Sequence, residues 1–191
     1  MPDPAMGPCC HRWVILTGEV NLFTVERAMS MTSQLRRFDY LTWPKAKEAA
    51  NSDGSTLVWP LGACEQHGPH LPLATDSLFA ERILKIVLDR LPETKPIWML
   101  PSQLLGFSPE HESFPGTISL SAKIILELIL EVGLQTESMG FHRLILFNAH
   151  GGQIGLLQAA ARQLRAQCST MAVLPCFLWS GVSTLKDLIP A

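Results

Sequence analysis

The sequence predicts an α/β fold, specifically a three-layer α/β/α sandwich with a mainly parallel sheet. Short apolar runs typical of strands alternate along the chain with longer stretches in which apolar residues recur at helical spacing. Strands separated by helices of this length imply right-handed crossovers, so that neighbouring strands run parallel and helices cover both faces of the sheet. The 191 residues are enough for one such domain.

The first half of the domain alternates helix and strand twice. Thr42 is a suitable N-cap for a short helix over 44–50, because a proline enters the first turn and a polar turn with glycine follows the last one. The apolar, β-rich segment 56–62 is the first strand. Helical spacing of apolar residues then predicts a helix over 77–91, ended by a proline, before a short buried strand over 97–100.

The second half continues the same alternation. Ser121 can cap a helix that ends near Gly140, where glycine is the usual terminator. The run 143–148 is a strand, the Ala- and Leu-rich segment 153–167 is a helix, and 171–178 is a last strand. We find no internal repeat and no low-complexity tract.

Both ends of the chain differ from this pattern. Residues 1–30 carry no coherent element, so we expect them to be an extension outside the fold, which then occupies residues 31–191. After the last strand, residues 180–191 hold no helix long enough for another βαβ unit. The domain is therefore expected to be truncated at its C-terminus.

Composition narrows the possible classes of function. Apolar residues make up 47% of the chain, charged residues 17%, and the formal net charge is -2, which argues against disorder and against a basic nucleic-acid surface. No apolar run reaches the roughly 18 to 20 residues of a membrane span. The five cysteines are odd in number and lack paired C-x-x-C spacing, so a reducing cytoplasm is expected. A small molecule is the expected partner.

Two strand ends carry the strongest chemical signal. Glu65 and His67 follow the first strand, and their spacing puts both side chains on one side of an extended backbone. Asp76 follows just before a helix, where its short carboxylate can bridge two ions, and His150 follows the strand 143–148. Carboxylate and imidazole ligands without a thiolate point to Zn, Mn or Fe chemistry rather than to a structural zinc site.

Other polar residues near these ligands have two interpretations each. His70 can contact substrate or support the ligands, or it can be purely structural. The polar segment 106–117 is either a loop over the site, with His111 orienting substrate or shuttling protons, or a solvated loop. The pair Gly151-Gly152 either lets backbone approach a ligand or only turns the strand into the next helix. Cys64 is expected to pack rather than to react.

Three ordered motifs resemble those of the creatininase, or creatinine amidohydrolase, family: E-Q-H-G-x-H-L-P-x-x-T-D, E-H-x-x-F-P-G-T-I-S-L and N-x-H-G-G. The resemblance covers roughly residues 38–180. It implies a two-metal amidohydrolase with an α/β/α sandwich, commonly a hexamer, that opens C–N bonds in cyclic or formyl amides. Carried over by position, Glu65 and His150 bind one ion, His67 binds the other, and Asp76 bridges them.

The sequence departs from the family pattern in two places. The creatinine-hydrolysing branch has an aromatic residue and a metal-binding glutamate after the strand-end histidine, where this chain has Gly151 and Gly152. Members with the Gly-Gly form take that carboxylate from a later H-A-G-x-x-E-T-S segment, which is absent here. Creatinine is therefore not the expected substrate.

The sequence leaves three hypotheses of function. The first is a metal-dependent amidohydrolase that opens a cyclic amide or formamide through a metal-activated water. The second is a catalytically impaired, truncated remnant of such an enzyme. The third is a family relative that acts in peptide or cofactor maturation.

Overall fold

The computed structural model describes residues 36–181, which form a four-stranded parallel sheet with helices on both faces. In chain order, the helices and strands are α1 (Trp43–Ala50), β1 (Thr56–Leu61), α2 (Thr75–Arg90), β2 (Ile97–Met99), α3 (Ala122–Ser138), β3 (Arg143–Asn148), α4 (Ile154–Gln167) and β4 (Ala172–Phe177). Single 3-10 turns lie at Phe38–Tyr40, Pro109–His111, Gly151–Gln153 and Leu178–Gly181. The predicted fold class is confirmed.

The strands lie in the order β2-β1-β3-β4, and every pair is parallel. The two central strands pair without a shift, from Thr56 opposite Arg143 to Leu61 opposite Asn148. Because the register is even, the carboxyl ends of β1 and β3 lie side by side. The peptides that leave these two strands therefore emerge at one edge of the sheet.

The side chains of β1 alternate between two apolar layers. Leu57 and Trp59 belong to the larger cluster, which contains buried residues of α1, α3 and α4. Val58 points to the opposite face and packs with Leu84 and Leu88 of α2. All six residues of β1 are buried, as expected for a parallel strand covered on both faces.

Several predicted boundaries need correction. The second helix begins at Thr75 rather than at residue 77, because the backbone N–H of Leu78 already bonds to the carbonyl of Ala74. Asp76 therefore lies in the first helical turn instead of just before the helix. Ser121 caps α3 as predicted, its hydroxyl accepting from the N–H of Ile124, whereas the side chain of Thr42 makes no cap hydrogen bond.

The predictions for residues 1–30 and for the segment after residue 181 lie outside the described residues. Within residues 36–181, no helix has the length and apolar character needed to cross a lipid bilayer.

Candidate metal centre

The ends of β1 and β3 bring the predicted ligands together. Glu65 and His67 follow β1 by four and six residues, and His150 lies two residues after β3. The backbone N–H of Ala149 donates to the carbonyl of Leu61, which extends the contact between the two strands up to the site. Glu65 and His150 are both buried, so they meet beneath the surface.

Helix α2 brings the fourth predicted ligand to the site, because its first turn packs directly on the end of β1. A Cβ atom at Gly62 would lie 2.5 Å from the backbone nitrogen of Ser77, so only glycine permits this approach. The hydroxyl of Ser77 donates to the carbonyl of Ala63 over 3.3 Å. Asp76, one residue earlier, is thereby held against Glu65 and His67.

The carboxylate of Asp76 lies between the two imidazoles. Its Oδ1 is 3.1 Å from Nε2 of His67, and its Oδ2 is 2.9 Å from Nδ1 of His150. Oε1 of Glu65 is 3.4 Å from the same nitrogen of His150 and 3.9 Å from Nε2 of His67. One ligand atom from each of Glu65, His67 and Asp76 falls within 4.8 Å of the others, which is close enough to share an ion.

Backbone carbonyls fix the tautomers of both imidazoles. Nδ1 of His67 lies 3.1 Å from the carbonyl oxygen of Glu65, and Nε2 of His150 lies 2.8 Å from that of Phe107. A carbonyl oxygen can only accept, so each of these nitrogens carries a proton. In the neutral ring the other nitrogen then holds a lone pair, and it faces the carboxylates. This is the arrangement in which proteins present histidine to a metal.

Lone pairs and carboxylate oxygens aimed at one small volume repel each other unless a cation lies between them. Oε2 of Glu65 is buried and has no hydrogen-bond partner within residues 36–181, and no lysine or arginine of that range forms an ion pair with Glu65 or Asp76. Burial lowers the pKa of His150, but hydrogen bonds to Asp76 and to the Phe107 carbonyl, with the charge of Glu65, outweigh it and raise that pKa overall. The side chains therefore fit a divalent cation.

Polar side chains beneath the site hold the strand-end turn in place. Asn148 donates to the carbonyl of His150 over 2.7 Å and accepts from its N–H over 3.0 Å. Gln153 donates to Oδ1 of Asn148 over 3.0 Å and also contacts the carbonyl of Gly62. Asn148, His150 and Gln153 are all buried, with relative exposures of at most 3%. The network ties the position of His150 to the end of β1.

The segment 106–117 lies over the centre, as the first of its two interpretations predicted. Besides the carbonyl of Phe107, the hydroxyl of Ser108 lies 3.3 Å from Nε2 of His150. Further along, Nδ1 of His111 lies 3.0 Å from Nε2 of Gln66. The loop is also fastened by the N–H of Gln66, which donates to the hydroxyl of Thr117 over 3.1 Å.

The two predicted substrate-contacting histidines lie apart from the four ligands. His70 is exposed, and its ring makes no hydrogen bond within the described part of the chain. His111 is half-buried and packs edge-on against the ring of Phe114. Neither ring pairs with a carboxylate in residues 36–181, and their catalytic role stays a prediction. Cys64 is half-buried and its thiol lies 3.6 Å from the carbonyl of Gly116, consistent with a packing role.

Sequence reasoning missed the groups that orient the ligands. The carbonyl of Phe107 is a backbone group, so no residue type marks it in advance. Gln66 lies inside the first quoted motif and Ser108 inside the polar segment 106–117, but neither was predicted to orient another residue. Gln153 was interpreted as the first residue of a helix, although it lies in a 3-10 turn and bonds to Asn148.

Comparison with known proteins places these residues in a family context. The family described as "Creatininase: Creatinine amidohydrolase" matches residues 39–190. The mycofactocin precursor peptide peptidase of Mycobacterium ulcerans (strain Agy99) is 38% identical over 167 residues, which are 85% of this chain and 58% of that protein. This chain thus spans somewhat more than half the length of that relative.

Two solved structures share the fold of the described domain. A structure titled "Creatininase Mn" superposes with a TM-score of 0.68 at 25% identity, covering 78% of this chain and 61% of that chain. A creatininase mutant described as "Zn-Zn type" gives a TM-score of 0.67 at 25% identity, covering 78% of this chain and 60% of that chain. Sequence motifs, fold and family match agree, and the chain belongs to the creatininase family.

Proposed function

We propose that this chain is a metal-dependent hydrolase that cleaves an amide C–N bond in a peptide. The observation that carries the proposal is the placement of Asp76, whose two oxygens each face a different imidazole nitrogen at 3.1 and 2.9 Å. A carboxylate that faces two ligand nitrogens in this way is suited to bridge two cations. A divalent cation bound there supplies an activated water and polarises a carbonyl oxygen, which together permit amide hydrolysis.

The two proposed cation positions are unequal. Glu65 and Asp76 both face the two imidazoles: Oε1 of Glu65 lies 3.4 Å from His150 and 3.9 Å from His67, and the oxygens of Asp76 lie 2.9 and 3.1 Å from them. The contacts to His150 are shorter, and its side chain is 3% exposed against 19% for His67, so a cation at His150 is held more closely and is better shielded from water. We therefore expect stepwise loading, with the position at His150 filled first. Imidazole and carboxylate ligands suit Zn, Mn and Fe, and the relatives quoted above include manganese and zinc forms.

The choice of a peptide substrate is supported by the relatives. The similarity to a peptidase of a precursor peptide extends over 85% of this chain at 38% identity. A cyclic amide or a formamide is the second candidate, favoured by the family's description as creatinine amidohydrolase. His111 and His70 would contact the substrate in either case. We also propose a cytoplasmic homo-oligomer, with a hexamer as the state that light scattering should detect.

The test combines elemental analysis with hydrolysis assays. Purified protein should contain a divalent transition metal and should hydrolyse members of a panel of peptides, formamides and cyclic amides. Asp76→Ala should abolish both metal occupancy and turnover, because it removes the carboxylate whose two oxygens each face a different imidazole at 3.1 and 2.9 Å. Asp89→Ala is a matched control, since Asp89 is an exposed aspartate near the other end of the same helix.

Each outcome bears on one part of the proposal. Protein that binds no divalent metal, or Asp76→Ala protein with native metal content, contradicts the metal centre. Metal-loaded protein that cleaves formamides or cyclic amides but no peptide supports the second candidate. Metal-loaded protein that cleaves nothing supports the alternative of an impaired remnant.

A further inference from the structure

Gln66 stands between two proposed ligands, yet its side chain contacts the overlying loop rather than the cluster. Its Oε1 accepts from the backbone N–H of Gly68 over 3.0 Å, and its Nε2 lies 3.0 Å from Nδ1 of His111. The amide is thus held at both ends. Gly68 has a φ of +75°, a left-handed conformation that glycine adopts without strain. In this conformation the N–H of Gly68 points towards the side chain of Gln66.

These two contacts determine the tautomer of His111. A backbone N–H can only donate, so the amide oxygen of Gln66 must face Gly68 and its NH₂ group must face His111. An NH₂ group can only donate as well, so Nδ1 of His111 must accept. A neutral imidazole that accepts at Nδ1 carries its proton on Nε2. Within residues 36–181, Nε2 of His111 has no hydrogen-bond partner.

We propose that Gln66 is a positioning residue that holds His111 as a neutral ring with an Nε2–H donor, ready to bind the carbonyl oxygen of the substrate amide. This inference rests on the proposed function, in which His111 contacts substrate. The Phe114 ring packs against His111 at 6.2 Å between centroids and limits rotation of the imidazole. A donor at this position stabilises negative charge on the amide oxygen, and it cannot act as the base that activates water.

The tautomer can be measured without any turnover. In metal-loaded protein with ¹⁵N-labelled histidine, the His111 signals, assigned by their loss in His111→Gln, should show a proton on Nε2 and none on Nδ1. In Gln66→Glu both side-chain oxygens accept, so the proton should move to Nδ1 or both nitrogens should be protonated. Gln66→Met keeps the volume without either hydrogen bond and should give a mixture of both tautomers. Gln135→Glu, an exposed position on α3, is the charge-matched control.

The kinetic measurement then links the tautomer to binding. On a substrate that the wild-type protein cleaves, Gln66→Glu should lower kcat/KM by about three- to tenfold, the loss expected for one hydrogen bond of ordinary strength. Metal content should remain at the wild-type level, and Gln135→Glu should behave as wild type. An Nδ1–H tautomer in the wild type, or a Gln66→Glu protein that keeps an unprotonated Nδ1, would overturn the inference. If no substrate is hydrolysed, the proposed function and the substrate-binding part of this inference are both wrong. The NMR spectra still decide the tautomer of His111 independently.

Discussion

Replacing Gly152 by alanine should displace His150 and weaken metal binding. An added Cβ would lie 2.7 Å from Nε2 of His150, 2.9 Å from the carbonyl oxygen of Phe107 and 3.0 Å from a carboxylate oxygen of Glu110. The Glu110 side chain is exposed and can move away, but the first two atoms are joined by the 2.8 Å hydrogen bond that fixes the tautomer of His150. The methyl group therefore cannot fit without separating them.

Two independent arguments give the size of the effect. Inserting a methyl group into a packed site typically costs about 1 to 3 kcal/mol. Losing the group that orients a metal-bound histidine typically lowers metal affinity about 10- to 100-fold, equivalent to about 1.4 to 2.7 kcal/mol. The estimates overlap, so we expect a 10- to 100-fold weaker affinity at the position that His150 serves, with a smaller change at the position of His67.

Calorimetric titration with Mn²⁺ or Zn²⁺ into metal-free protein measures this difference. Gly151→Ala is the matched control, because nothing lies within 4 Å of a Cβ at that position and its φ is not positive. That control should bind metal normally and gain up to about 1 kcal/mol of stability, since alanine restricts the unfolded chain. If both variants bind metal with wild-type affinity, the close approach at Gly152 does not support the histidine and the reasoning is wrong.

Two further predictions concern the helices and the thiols. Ser121→Ala should lower the free energy of unfolding by about 1 kcal/mol in urea titrations, because it removes the N-cap of α3. Thr42→Ala should cost clearly less, since Thr42 makes no cap bond, and equal losses would contradict this account. Burial, aided by Glu137, raises the pKa of Cys168 to about 11. At pH 8 its alkylation, followed by peptide mass spectrometry, should lag far behind that of exposed Cys176 and should accelerate about tenfold per pH unit up to pH 10; equal rates at pH 8 would refute the assignment.

The sequence predicted the fold because its apolar pattern is regular. All six residues of β1 are buried, and its continuous apolar run identified it as a strand covered on both faces. The edge strand β4 was also found, although most of its residues are exposed on the described part of the sheet. Helix starts were less accurate, as the second helix shows, because its first turn is fixed by contact with Gly62, the residue after β1, and not by a local cap.

The proposed ligand set could be inferred because it consists of side chains that follow the ends of neighbouring strands. Parallel strands in register bring such ends together, and the pairing of Leu61 with Asn148 is the structural reason that Glu65 meets His150. The orientation of the ligands could not be inferred in the same way. It depends on backbone carbonyls at Glu65 and Phe107, and every residue has a carbonyl.

Gly152 is visible in the sequence, but its effect on the orientation of His150 is visible only in the structure. In the sequence it was ambiguous between a ligand approach and a simple turn, and the structure shows a third use, in which the loop carbonyl of Phe107 occupies the space next to it. A larger residue at position 152 would exclude that carbonyl and with it the hydrogen bond that prepares His150 for a cation. The same glycine that removes a possible carboxylate ligand from this position therefore makes room for the contact that orients another ligand.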